Sequence, residues 1–353
     1  MNNSIFLSNT KYRLKQHLGN GAFGEVFLVY DEILDKDIAI KIIKINSQLD
    51  FQEAKIGNYI SHPNLVKIHS AEYIDDHHII IEMDFCEKGS IENKFNSNGY
   101  LPMKEALKYI KDILRGLDAL HGNSIFHNDI KPKNILIGSS NQAMLSDYGI
   151  SIISENKKAI QPLKGFYKLH YAPETFDTNC INVSTDIYQM GLTLFRLVNG
   201  SYILPNKFNM LSEDKYNKLI KTGSLINKND YQDFVPRNLK SIISKATNID
   251  PVKRYKSARE MRHALEQIVI YGDWNVDAMG NLYGEDLCNI YTYEETLRMQ
   301  KYEFKAFKQS KKSKRKSQVH KYDKTHLSLT ELKNVRKNFM QDVVNGTVGD
   351  SYK

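Results

Sequence analysis

The chain has 353 residues, 41 % of them apolar and 25 % charged, with a net charge of +8. That length allows one large domain or two ordinary ones, with enough apolar residues for a core. Its three cysteines, Cys86, Cys180 and Cys288, are far apart and form no CxxC pair, which argues against a zinc site or a disulfide framework and for a reducing compartment.

The N-terminal stretch MNNSIFLSNTKYRLKQ has no signal-peptide core, and no run approaches the ~20 apolar residues that span a bilayer. The expectation is a soluble, cytoplasmic protein without membrane contact, nuclear only if the host is eukaryotic. Charge is uneven. Residues 298–337 hold 14 Lys/Arg against Glu303, Asp323 and Glu331, which leaves a net −3 for the rest. Any argument about basic partners is therefore confined to that stretch.

From Tyr12 to about Ile81 the pattern is mostly strands, such as Phe27–Tyr30 and Ile38–Ile43, with one helix over about 48–60. After Gly89 the period becomes helical. Ala106, Leu107, Ile110, Ile113, Leu114, Leu117 and Leu120 recur at three- and four-residue steps, and further helical patterns lie near 184–198, 237–248 and 257–270. A small β-rich part before a larger helical part predicts two lobes with a cleft, where ligands bind. The globular pattern ends near Ile270. The basic run from Lys311 reads as solvated and mobile.

Residues 19–26 form a GxGxxGxV loop. Its glycines let backbone amides approach phosphate oxygens. A dinucleotide-binding loop should open a helix, whereas this one runs into a strand, which favours a phosphate-covering hairpin. Lys41 follows inside the apolar strand, where a lysine is costly to bury unpaired. It reads as a snorkelling edge lysine or as a cation for phosphates, fixed by Glu53. The strongest segment is His127-Asn128-Asp129-Ile130-Lys131-Pro132-Lys133-Asn134. Its carboxylate, lysine and asparagine can converge on one phosphoryl group: Asp129 accepts the hydroxyl proton, Lys131 neutralises charge and Asn134 ligates magnesium. Asp147-Tyr148-Gly149 adds a second metal carboxylate.

In these motifs the chain resembles the eukaryotic-type protein kinases over about residues 12–268. The glycine-rich loop matches 19–26, the strand lysine Lys41, the helix glutamate Glu53, the catalytic loop 127–134 and the metal motif 147–149. Ala172-Pro173-Glu174 matches the APE motif. Asp186 matches the residue that braces the catalytic loop, and Arg254 the late arginine that pairs with Glu174. The resemblance implies an α+β bilobal protein kinase fold: a kinase domain over 12–270, with an N-lobe at 12–84, a hinge at 84–88 and a helical C-lobe at 89–270. A basic extension over 271–353 follows, partly disordered from about 298. It also implies ATP and Mg2+ as cofactors, Asp129, Lys131, Lys41 and Glu53 as catalytic residues, and Asn134 and Asp147 as metal ligands. ATP would be bound by Gly19, Asn20, Gly21, Ala22, Phe23, Gly24, Val26, Ala39, Lys41, Met83, Asp84, Cys86 and Leu136, with adenine on the backbone of Asp84 and Cys86.

Four departures stand out. Asn128 replaces the arginine that normally receives an activation-loop phosphate, which implies activity without that phosphate. Alanine at Ser151, Ser154, Tyr167 and Tyr171 should then leave activity largely intact. Tyr148 replaces phenylalanine and fits if its hydroxyl finds a partner. Gly57 stands where the family has a bulky apolar residue, so the helix is mobile or an aromatic from elsewhere fills the gap. Tyr167 stands where serine/threonine kinases carry a threonine that steadies the base and its lysine.

The expected function is ATP-dependent phosphorylation of serine or threonine in protein substrates. The alternatives are a pseudokinase binding module and a dual-specificity or tyrosine kinase. Residues 298–337 read as a solvated tail or as a contact for nucleic acid or an acidic partner, with Tyr302, Phe304 and Phe307 available to stack on bases. Leu327–Leu332 could begin a short terminal helix, with Thr330 a poor cap.

Overall fold

The strand Lys36–Lys44 carries the logic of the first sheet. Successive strand side chains point to opposite faces. Ile38, Ile40 and Ile42 join Tyr12, Phe27, Val29 and Ile80 in one buried cluster. Ala39 and Ile43 join Val66, Ile79, Ile81, Met83, Cys86 and Met144 in another. Lys41 lies between Ala39 and Ile43 on the second face.

The computed structural model describes residues 11–21, 24–45, 52–148, 151–153, 167–178 and 180–348. In chain order its elements are β1 (Tyr12–Gly21), β2 (Gly24–Asp31), β3 (Lys36–Lys44), α1 (Gln52–Tyr59), β4 (Ile68–Asp75), β5 (His78–Met83), α2 (Met103–Gly122), β6 (Ile125–Phe126), β7 (Ile135–Ile137) and β8 (Ala143–Leu145). Then come β9 (Ile152–Ile153), α3 (Thr175–Thr178), α4 (Val183–Asn199), α5 (Ile203–Met210), α6 (Glu213–Lys221), α7 (Arg237–Ala246) and α8 (Ala258–Glu266). The last are β10 (Asp273–Val276), β11 (Leu282–Glu285), β12 (Asn289–Arg298), β13 (Lys301–Ser310), β14 (Lys316–Gln318), β15 (Lys324–Leu327) and α9 (Leu329–Asn345).

Two compact units result, each built from non-contiguous segments. The first comprises Met1–Asn93, Tyr109–Thr193 and Ala246–Arg262. Its main sheet is antiparallel in the order β1-β2-β3-β5-β4. Helix α1 packs on β4. A Cβ built on Gly57 would stand 2.4 Å from the Cβ of Ile68. An aliphatic side chain of β4, not an aromatic, therefore occupies the space that the glycine leaves. Two short ladders follow in the chain, β7 paired with β8 and β6 with β9. Leu145 N donates to Asn64 O and Val66 N to Leu145 O, which ties the segment before β4 to β8.

The second unit comprises Lys94–Lys108, Leu194–Lys245 and His263–Lys353. Here the sequence reading needs correction: residues 298–348 are folded. Strands β10 to β14 form one antiparallel sheet, with β15 also paired to β13. Helix α9 covers one face, and the rings of Trp274, Tyr291, Tyr293, Phe304 and Tyr322 surround Phe339. Trp274 Nε1 donates to Met340 O at 3.0 Å. The charge count hid a period of two: in β13, Phe304 and Ala306 are buried while Lys305 between them is exposed. Phe304 is thus core and not free to stack on a base. Ser328, not Thr330, caps α9 in a capping box with Glu331, and the helix runs for 17 residues. Asp273 begins β10 and accepts from Met103 N (2.7 Å) and Lys104 N (2.9 Å), the first amides of α2. It acts as an N-cap supplied from far along the chain.

Candidate active site

Helix α4 holds the segment 127–130 by its backbone. Asp186, Gln189 and Thr193 recur at three- and four-residue steps and so share one helix face. Asp186 Oδ2 accepts from His127 N at 2.9 Å and its Oδ1 from Asn128 N at 2.7 Å. Gln189 bonds Ile130 N (2.9 Å) through Oε1 and Asn128 O (2.8 Å) through Nε2, and Thr193 Oγ1 donates to Ile130 O at 3.2 Å. The sequence reading named Asp186 and missed Gln189 and Thr193, although their spacing from Asp186 was the available signal. Asn128 takes a left-handed φ of 64°, a region in which asparagine is enriched. Its side chain is buried, and neither amide atom finds a hydrogen-bond partner among the described residues.

His127 is fixed at both ring nitrogens. Nδ1 accepts from Asp129 N (3.2 Å), so Nε2 carries the proton and donates to Ser146 O (3.1 Å). Burial pushes its pKa down, against the opposing pull of Asp186, Asp129 and Asp147, so the ring is neutral. Its edge meets Tyr148 with ring centroids 5.7 Å apart. The Tyr148 hydroxyl donates to Leu145 O (3.0 Å), with Val66 O at 3.4 Å, which supplies the partner that the sequence reading required.

The charged groups converge. Lys131 Nζ lies 2.9 Å from Asp129 Oδ1 and 2.7 Å from Oδ2. Asn134 Nδ2 donates to Asp129 O (2.9 Å) and Oδ2 (2.8 Å). Lys41 Nζ meets Asp147 Oδ1 at 2.8 Å. Burial alone would push the Asp147 carboxyl up. The Lys41 charge and bond, with the Lys131 charge, outweigh it and hold the pKa below the ordinary value. Glu53 lies in α1, but its side chain falls outside the described residues, as do Ala22, Phe23 and Gly149.

Val26, Ala39, Met83, Cys86 and Leu136 belong to one apolar cluster with Met144. Burial, then the nearby Asp84 charge, pushes the Cys86 thiol up to about 11, so it acts as an apolar wall. Asp84 N is engaged by Lys67 O at 3.0 Å, which leaves its carbonyl as the backbone group to offer a base. Gly19 has a φ of 148°, and a Cβ there would meet nothing within 4 Å. Gly24 is needed for a different reason: a Cβ there would fall 2.1 Å from Ile42 O.

The donor set suits a nucleotide with a hard cation. Asn134 turns its Nδ2 to Asp129, so its Oδ1 and the Asp147 carboxylate are the oxygens that would hold such a cation. Among the described residues no group of three His, Cys, Asp or Glu side chains forms a ready-made metal cage. Few protein oxygens completed by phosphates is the usual arrangement for Mg2+.

Further along, Arg254 pairs with Glu174 through two bonds of 2.8 and 2.7 Å and also donates to Ser184 O and Asn248 O, as the resemblance implied. Ser151 is buried and donates to His127 O at 3.0 Å. His170 Nδ1 lies 2.7 Å from Ile130 O. Neither contact was foreseen from the sequence.

The protein kinase domain model matches residues 12–266. The serine/threonine-protein kinase PrkC of Bacillus subtilis is 30 % identical over 259 residues, 71 % of this chain and 39 % of that protein. The probable serine/threonine-protein kinase PknB of Lactococcus lactis is 30 % identical over 260 residues, 71 % of this chain and 41 % of that protein. The serine/threonine-protein kinase fray1 of Dictyostelium discoideum is 27 % identical over 270 residues, 72 % of this chain and 45 % of that protein. The chain therefore spans less than half the length of these relatives. No helix among the described residues is long and apolar enough to cross a membrane. With the family model matching most of its length and the charged residues gathered as described, the chain belongs to the protein kinase domain family.

Proposed function

We propose that the chain transfers the γ-phosphate of ATP to serine or threonine hydroxyls of protein substrates. The observation that carries this reading is that Lys131 and Asn134 both bond directly to the Asp129 carboxylate, with Lys41 bonded to Asp147 in the same unit. Magnesium-bound ATP supplies the phosphoryl group and part of the charge neutralisation. Asp129 orients the attacking hydroxyl and takes its proton as the new O–P bond forms and the bond to the β-phosphate oxygen breaks. Lys131 would offset negative charge beside Asp129, Asn134 and Asp147 would supply oxygens to the metal, and Lys41 would neutralise the α- and β-phosphates. The Val26, Ala39, Met83, Cys86 and Leu136 cluster supplies the apolar surface against which the base would lie. The full set of charged residues argues against a pseudokinase. A cytoplasmic setting suits an ATP-dependent enzyme of this kind.

The test is incubation of the purified chain with ATP and magnesium, followed by phosphosite mapping beside Asp129→Ala. Incorporation into serine and threonine that Asp129→Ala abolishes is the expected result. No incorporation by the unmutated chain overturns the assignment, and phosphotyrosine as the main product overturns the acceptor.

Activity without an activation-loop phosphate is part of the proposal. Asn128 carries no charge to receive a phosphate, and its amide is buried. Ser151, bonded to His127 O, and Tyr167, whose ring centroid lies 4.4 Å from Lys131 Nζ, belong to the scaffold around Asp129, so contrary to the sequence expectation alanine at either is not an informative test of loop phosphorylation. Ser154→Ala with Tyr171→Phe should leave the rate within about twofold, and a loss on the scale of a missing charge-assisted bond, roughly tenfold or more, would refute it.

For the extension, exposed Lys312, Lys314, Arg315 and Lys316 at and beside the β13–β14 turn favour a nucleic-acid partner over a purely solvated surface. Lys316 Nζ sits 4.2 Å from the Phe307 ring centroid, so charge and ring lie side by side. Binding of single-stranded oligonucleotide should fall with salt and with charge-neutral replacements there. Equal binding by a polyglutamate would point to an acidic protein instead.

A further inference from the structure

Lys131 has partners on two sides. One is the Asp129 carboxylate, at 2.7 and 2.9 Å. The other is the ring of Tyr167, whose centroid lies 4.4 Å from Nζ. That is within the range of an ammonium held by an aromatic face. The ring is itself placed. Tyr167 precedes a short 3-10 turn, Lys168–His170, and its O accepts from His170 N at 2.9 Å. The Tyr167 and His170 rings meet edge to face, 5.2 Å between centroids. His170 is buried and its Nδ1 lies 2.7 Å from Ile130 O. A continuous path therefore runs from the backbone beside Asp129, through His170, to the ring over Lys131.

We propose that Tyr167 is a positioning residue whose aromatic face holds the Lys131 ammonium against Asp129. A lysine has many rotamers and loses considerable entropy when fixed. A carboxylate alone leaves the ammonium free to swing around it, and a ring on the other side removes that freedom. This inference rests on the assignment of Asp129 and Lys131 to phosphoryl transfer, and it explains how a tyrosine serves where a small hydroxyl residue is expected.

The experiment compares Tyr167→Phe, Tyr167→Leu and Tyr167→Ala with casein as acceptor, with thermal unfolding as the control for folding. Leucine keeps apolar bulk without a π face. Tyr167→Leu and Tyr167→Ala should lower kcat about tenfold while KM for ATP changes less than twofold, and phenylalanine should restore kcat. In a Lys131→Ala background Tyr167→Leu should have no further effect. Tyr167→Leu as active as Tyr167→Phe, or an equal loss in the Lys131→Ala background, overturns the proposal. A readout independent of activity separates it from the functional assignment. The Lys131 ε-methylene protons should be shifted upfield by the ring current and return to ordinary values in Tyr167→Leu. Absence of that shift overturns the placement of the ring, whereas absence of phosphate transfer by the unmutated chain counts against the function alone.

Discussion

Lys41 Nζ and Asp147 Oδ1 stand 2.8 Å apart, the lysine side chain almost wholly buried and the aspartate 18 % exposed. A strand in the first sheet and the segment after β8 are thereby joined by one ion pair. Its removal leaves a largely buried carboxylate unpaired. Lys41→Met should destabilise the unit at neutral pH by roughly 2 kcal/mol, less than a fully buried pair because Asp147 keeps some water contact. It should also lower the phosphorylation rate by about 10²-fold or more, as loss of a charge-stabilising group does. The pH dependence has a definite sign. The folded pKa of Asp147 is depressed, so the pair's contribution is present above the unfolded value, about 4, and fades as pH falls through the folded one. Denaturant titrations should show the gap between parent and variant narrowing below about pH 4. A gap independent of pH would contradict the pairing.

Gly57→Leu separates a hole from a filled space. With Ile68 already there, the larger side chain should destabilise the first unit by about 1–3 kcal/mol, the usual cost of overpacking. Gly57→Leu combined with Ile68→Ala should recover part of the loss in thermal unfolding. Stabilisation by the single variant would show that the space is open.

The Tyr148 hydroxyl donates to Leu145 O. Tyr148→Phe keeps the ring against His127 and removes that bond, so a loss of about 1 kcal/mol is expected. Chemical denaturation of the two proteins at one pH measures it.

Asp273 behaves oppositely to Asp147. Burial, only partly offset by the amides of Lys104, Met103 and Trp274, pushes its carboxyl up to about 6. A raised folded pKa makes its stability contribution greatest below the unfolded value, and that contribution is lost as pH rises through the folded one. Between about pH 4 and 6 the second unit should lose on the order of 3 kcal/mol of stability from this group. Asp273→Asn should flatten that slope, as followed by Trp274 fluorescence in urea.

Much of the active-site region was legible from the chain because its residues come in short, ordered motifs. Asp129, Lys131 and Asn134 lie within six positions, so chain connectivity alone keeps them near one another. What could not be read depends on distant partners. Gln189 and Thr193 matter only because α4 passes behind the segment 127–130. Ile68 fills the space beside Gly57 from another strand. The extension was misjudged because its net charge was averaged over a window, whereas strand β13 alternates Phe304 and Ala306 with Lys305 and so conceals a buried face under a basic sum. The long β12–β13 pairing, with ten residue pairs in register from Asn289↔Ser310 to Arg298↔Lys301, carries no local motif.

The Asp273 cap on α2 has a consequence for where the protein can be cut. The family match ends at residue 266, short of Asp273, Trp274 and the whole of α9. A chain shortened at that point would keep Lys41, Asp129, Lys131 and Asp147 and still begin α2 without the Asp273 cap. The family match and the cap on α2 thus draw different borders here. A piece of the chain that keeps the start of α2 capped must run past Asp273, so the stretch matched by the family model and the stretch that completes α2 are not the same length in this protein.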